Sequence, residues 1–206
     1  MEWYHWMALA TLLFCKTLFV IRLIEIIKRG APNDLSKPSG SVAKGVRYSY
    51  TKAMLPQNKE SAYLHPPTFG AGLIFHGGIL ISILAFIWFI LTAIFGWATP
   101  EIIPPLCCLC LLGSSFCGVA ILCKRVFKRA LRALSCADDY LSTAIVTLFQ
   151  LATAGYFYHS DPLPYYAIAS LFFLWLPIGK TRHLLYFFAA RYQLGFFYGR
   201  RGTWPQ

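Results

Sequence analysis

The stretch TFGAGLIFHGGILISILAFIW, residues 68–88, decides the fold: it is apolar enough to cross a bilayer, yet it holds a single imidazole, His76, among four glycines. Crossing the hydrocarbon takes about 20 predominantly apolar residues. This segment extends over 68–94, and four others qualify, at 5–27, 101–123, 140–160 and 163–190. Composition agrees, with 57% hydrophobic and 13% charged residues and a mean hydropathy of +0.54. A soluble domain rarely carries that balance. The expected fold is all-α: an integral membrane bundle of five transmembrane helices forming one domain over 1–206, without internal repeat or low-complexity tract. The first apolar run lacks a basic leader, is too long for a cleaved signal, and is stopped by Lys28 and Arg29.

The formal charge of +11 would suggest nucleic acid in a soluble chain, but here its placement points to topology. With the N-terminus outside, Lys28, Arg29, Lys37, Lys44, Arg47, Lys52 and Lys59 fall in the loop at 28–67. Lys124, Arg125, Lys128, Arg129 and Arg132 fall in the next inner loop, and Arg191, Arg200 and Arg201 in the tail. The opposite side carries Glu2, Glu101 and Asp161 and no Lys or Arg. Basic loops stay inside, so the expected orientation is N-terminus out and C-terminus in; the family resemblance given below implies that these sides are periplasmic and cytoplasmic, in a bacterial or archaeal cytoplasmic membrane. No nucleic-acid partner is expected.

Within the long loop, a breaker-rich APNDLSKPSGS precedes VAKGVRYSYTKAML, where Val42, Val46, Tyr50 and Met54 recur four apart on one helix face. An amphipathic helix lying in the membrane interface is the plain reading. Ser135 or Asp138 is expected to cap the fourth span. The tail HLLYFFAARYQLGFFYGRRGTWPQ alternates aromatics with arginines, as an interfacial segment does. Five of the seven cysteines lie in the third span without a haem-attachment or paired CxxC pattern, and they read as small packing residues. GSSFCG at 113–118 reads the same way.

Imidazoles inside a span are functional candidates, because unpaired polar groups are costly in hydrocarbon. His76 lies about 12 Å into its helix at about 1.5 Å per residue. His183, in PIGKTRHLLYFF, sits near the inner end of span five, at a similar depth. Gly72 precedes His76 by four residues and Gly179 precedes His183 by four, so each imidazole is expected to have a bare patch on its own helix face. Two such histidines suit axial ligation of a haem held edge-on. The competing reading is that the glycines serve helix packing and each histidine bonds a neighbouring carbonyl. Lys180 and Arg182 either neutralise haem propionates or anchor the helix end. Lys16, mid-span above Arg22 and Glu25, either snorkels or hydrogen-bonds a quinone or a propionate. His65, before Pro66–Pro67, is a lesser ligand candidate. His5 and His159 belong to the outer side and are placed to pair there.

FHGGIL in span two and LPIGKTRHLLYFFAARYQL in span five resemble the gamma subunit of respiratory nitrate reductase. They are also similar to the membrane cytochromes b of heterodisulfide-reductase and dissimilatory sulfite-reductase complexes. The short chain looks most like the small cytochrome b-like member of the high-molecular-weight cytochrome c complex. The resemblance implies His76 and His183 as axial ligands of one b-type haem near a cytoplasmic Fe–S subunit. Where such families place the second pair of histidines, this chain has Phe86 and Tyr165. The expected function is electron transfer between the quinone pool, with menaquinone as candidate, or another membrane subunit of a redox complex, and that Fe–S partner. The alternative is a haem-free anchor that docks and stabilises the cytoplasmic subunit. A transporter is disfavoured because neither an inverted repeat nor a broken-helix pair is apparent.

Overall fold

The structure, a computed structural model, describes residues 1–30, 34–159 and 161–204, with Glu60 and Ser61 described by backbone alone. Residues 31–33, in the loop expected to be rich in breakers, lie outside the described residues. Every regular element among those described is helical. In order they are α1 (Trp3–Arg29), α2 (Val42–Tyr50), α3 (Glu60–Tyr63), α4 (Pro66–Phe95), α5 (Ile103–Phe127), α6 (Arg129–Ala133), α7 (Ala137–His159), α8 (Pro162–Trp175) and α9 (His183–Arg200). Helices α1, α4, α5 and α7 are each long and apolar enough to cross a membrane, and α8 with α9 makes a fifth crossing if counted as one interrupted span. The chain is a multi-pass membrane protein.

Local chemistry sets the ends of these helices. Prolines occupy the first turns of α4, α5 and α8, where a missing N–H costs nothing. Gly30 and Gly96 follow α1 and α4 with φ of 67° and 69°, the left-handed geometry that closes a helix and suits glycine. At the start of α7 the expected caps do not form. Ser135 bonds back to the Leu131 carbonyl, and Asp138 bonds the Ser142 hydroxyl one turn on. Cys136 holds the cap position, and the Asp139 carboxylate reaches back to its N–H at 2.9 Å, one half of a capping box.

Span five departs from the expected continuous 163–190. Helix α8 stops at Trp175 because Pro177 lacks an N–H and disfavours helical geometry in the residue before it. The chain turns through residues 176–179, with Ile178 and Gly179 both donating to the Trp175 carbonyl, and resumes in a 3-10 turn, Lys180–Arg182. A broken-helix pair is therefore present, and its supposed absence no longer counts against transport.

Contacts divide the chain into two compact units, one of Met1–Thr17 and Pro67–Thr181, the other of Leu18–Pro66 and Arg182–Gln206. The first has an aromatic core. Phe149 stacks on Phe172 at 4.5 Å, Phe86 meets Phe173 edge-on at 4.8 Å, and Tyr156 lies parallel to Tyr165 at 4.8 Å. Along one seam the helices come closer, over Gly78, Ser82, Ser114, Ser115 and Gly118, all buried.

The second unit is built on α2 against α9. The most buried residues of α2 are Gly45 and Ser49 rather than the valine face, and Gly45 meets Gly195 and Gly199. A Cβ on Gly195 would sit 2.5 Å from the Val46 Cα, so the backbones touch. Small residues four apart on both partners permit this approach. The Ser49 hydroxyl then donates to the Arg191 carbonyl at 2.8 Å, and the Tyr50 hydroxyl to the Phe188 carbonyl. The expected amphipathic helix forms but ends at Tyr50, and Met54 lies in a separate 3-10 turn, Lys52–Met54.

Candidate haem site

His76 stands on α4 of the first unit, exposed, with its Nδ1 2.6 Å from the Gly72 carbonyl. A carbonyl only accepts, so Nδ1 carries the proton and Nε2 has the lone pair that binds a metal. This bond is the one expected if the histidine were merely satisfied, but ligating histidines also donate their second nitrogen to a carbonyl. The surroundings separate the two readings better. A Cβ added at Gly72 or Gly77 would meet nothing within 4 Å. Those glycines therefore have open space beside them. Gly78, one residue on, is the packing glycine: its Cβ would collide with Ser114.

His183 is the first residue of α9, in the second unit, and is exposed. Gly179 does not share a helix face with it, because the break intervenes. It is buried, and a Cβ there would strike the Trp175 indole and approach the Ser142 Oγ to 2.9 Å. Its smallness serves the turn, so the expected bare patch beside His183 is not made by Gly179. Lys180 is likewise engaged. Its ammonium pairs with Asp139 at 2.7 Å, and its N–H donates to Asp138 at 3.0 Å. Arg182, just before His183, is exposed.

The remaining candidates scatter. Lys16 is exposed midway along α1, and His65 is exposed in the bend before α4. His5 is buried, accepts from the Glu2 N–H at 3.0 Å and lies 4.6 Å from the Tyr166 ring. His159 is exposed at the end of α7 against Tyr158. The expected His5–His159 pair is not among the described contacts. Phe86 and Tyr165 are each 1% exposed, so aromatic rings fill both positions.

Two groups escaped the sequence reading. Asp138 and Asp139 hold the break in span five: Asp138 takes the Lys180 N–H and the Ser142 hydroxyl, and Asp139 takes Lys180 and Arg125. Gln150, wholly buried on α7, bonds to α4 and α5. A glutamine in mid-span is a signal legible in the sequence, because a buried amide needs hydrogen-bond partners. Among the described residues no three His, Cys, Asp or Glu side chains converge as a metal-binding group. Axial ligation of haem needs only two side chains, one on each side of the ring. No protein-family model, curated protein or solved structure matches the chain.

Proposed function

We propose that this chain is a membrane electron-transfer subunit that carries one b-type haem, with His76 and His183 as its ligands. The observation that carries the reading is the His76 setting: an exposed imidazole with Nδ1 on a carbonyl, and open space beside Gly72 and Gly77. The resemblance of FHGGIL and LPIGKTRHLL to respiratory membrane cytochromes b supports it. A bound haem would supply one-electron chemistry; the protein contributes ligation, orientation and polarity. Gly72 and Gly77 leave room for a flat ring, and Arg182 is the cation adjoining His183 that remains for a propionate. The basic loops favour an N-out, C-in orientation, which puts a cytoplasmic Fe–S partner and a quinone such as menaquinone within the scheme.

The absorption spectrum and pyridine haemochrome of the purified protein test this. The expected result is one haem b per chain, lost in His76→Ala and in His183→Ala while both variants still insert. One equivalent rather than two is expected because Phe86 offers no ligand atom and both second-pair positions are filled by core packing. Full haem retention in either variant overturns the ligand assignment. A haem-free native preparation would instead favour the anchor that only docks a soluble subunit.

A further inference from the structure

Gln150 is 0% exposed, midway along α7, and both ends of its amide are used. Nε2 donates to the Phe75 carbonyl at 3.0 Å, and Oε1 accepts from the Ser114 hydroxyl at 2.8 Å. The Ser114 Oγ also lies 3.1 Å from the Ile74 carbonyl. Gln150 of α7, its amide braced by Ser114 of α5, thus grips the Phe75 carbonyl of α4, immediately before His76.

That carbonyl already receives the helical N–H of Ile79, four residues on. The extra bond uses its second lone pair, so α4 does not need it to be a helix. What it adds is a fixed rotation. Two glycines make the approach possible. A Cβ on Gly78 would overlap Ser114 and come within 3.0 Å of the Gln150 Oε1, and one on Gly118 would strike the Phe75 ring and Thr147. The opposite face of the same turn presents Leu73, His76, Gly77 and Leu80, all exposed.

We infer that Gln150, acting with Ser114, is a positioning residue that locks the rotation of α4 at residues 74–78 and so holds the His76 imidazole outward in one orientation. What the imidazole then binds rests on the haem reading; the lock itself does not. A glutamine that only cements the bundle would leave the imidazole indifferent to its loss.

The test uses the full chain in lipid nanodiscs with ring-15N-labelled histidine, the His76 signal being assigned by its absence in His76→Ala. The haem-free native chain should give one His76 signal of the Nδ1-protonated form. Gln150→Leu, close in volume but without hydrogen bonds, should shift or split that signal, as α4 turns and His76 leaves its single environment, and lower haem loading several-fold. Gln150→Glu should restore both while its carboxyl is neutral, since the O–H donates to Phe75 and the carbonyl accepts from Ser114, and should lose both when raised pH ionises it. Ser114→Ala removes the hydroxyl that fixes the Gln150 amide and is scored in the same way if the leucine variant does not insert. A single, unshifted His76 signal in the folded leucine or alanine variant overturns the proposal, whatever the haem content. A shifted or split signal in a chain that never carries haem upholds the lock and discards the haem assignment.

Discussion

At the scale of single residues, adjacent glycines on α4 have opposite duties, and this gives a sharp test. Gly77 faces open space, whereas a Cβ on Gly78 would overlap Ser114. Gly77→Ala should change thermal stability by no more than about 1 kcal/mol, the scale of helix propensity alone. Gly77→Leu should also fold yet lose haem, because the bulk falls where the ring is proposed to lie. Gly78→Ala should cost about 1–3 kcal/mol through overpacking. Thermal unfolding in detergent beside haem quantitation separates the two: equal destabilisation at both positions would show that Gly77 also packs. Sequence made the two glycines look equivalent, since periodicity names a face only once the partner helix is known. His76 itself was legible, because one imidazole in an apolar run has little reason to be neutral to function. The Gly179 parallel was not, because counting four residues back assumes an unbroken helix and Pro177 ends it.

At the scale of elements, the long apolar runs were readable and their interruptions and partners were not. Hydropathy sees composition, so LPIGK inside a span of Leu, Phe and Trp stayed hidden although its proline and glycine are strong turn signals. The α2–α9 pair was hidden for another reason: its contact rests on Gly45, Ser49, Gly195 and Gly199, residues that contribute nothing to an apolar face. The break in span five depends on carboxylates of a different helix, which no local pattern reveals. Asp138→Ala should leave the Lys180 N–H and the Ser142 hydroxyl without this acceptor, costing about 1–3 kcal/mol. The Asp139–Lys180 pair should couple only weakly, because the Lys180 side chain is 53% exposed and solvent screens it. A double-mutant cycle on thermal stability measures the pair, and a coupling near zero would show that Asp138 alone holds the turn.

At the scale of the whole molecule, charge is concentrated in the loops and tail, and part of it is consumed internally. In the second unit the Ser36 hydroxyl and N–H, with Arg201 and Arg200, hold the Asp34 carboxyl below its ordinary 3.8. A depressed carboxylate lends stability that is present above its unfolded pKa and lost as pH falls through the lower folded value. Asp34→Asn should therefore remove an acid-limb component from the stability profile and leave the neutral-to-alkaline limb unchanged in shape; an unaltered acid limb would show that this tie contributes nothing. Arg125 is similarly committed, to Asp139 at 3.2 Å and Ser135 at 3.1 Å, whereas Lys128, Arg129 and Arg132 are exposed. If a soluble redox partner docks on the basic side, the exposed set should carry the attraction. Charge reversal at Lys128 and Arg129 should weaken partner retention at low salt and matter less at high salt, since exposed charges are screened over about 8 Å at physiological ionic strength. Haem content should stay intact, as neither residue is a proposed ligand. Reversal at Arg125 should instead destabilise the chain by loading repulsion onto Asp139, with a salt dependence unlike that of the other two. Co-purification at two salt concentrations, scored against thermal stability, resolves the classes. Unchanged retention for the Lys128 and Arg129 reversals at both salts would make these cations topology signals alone and send the search for the docking face elsewhere.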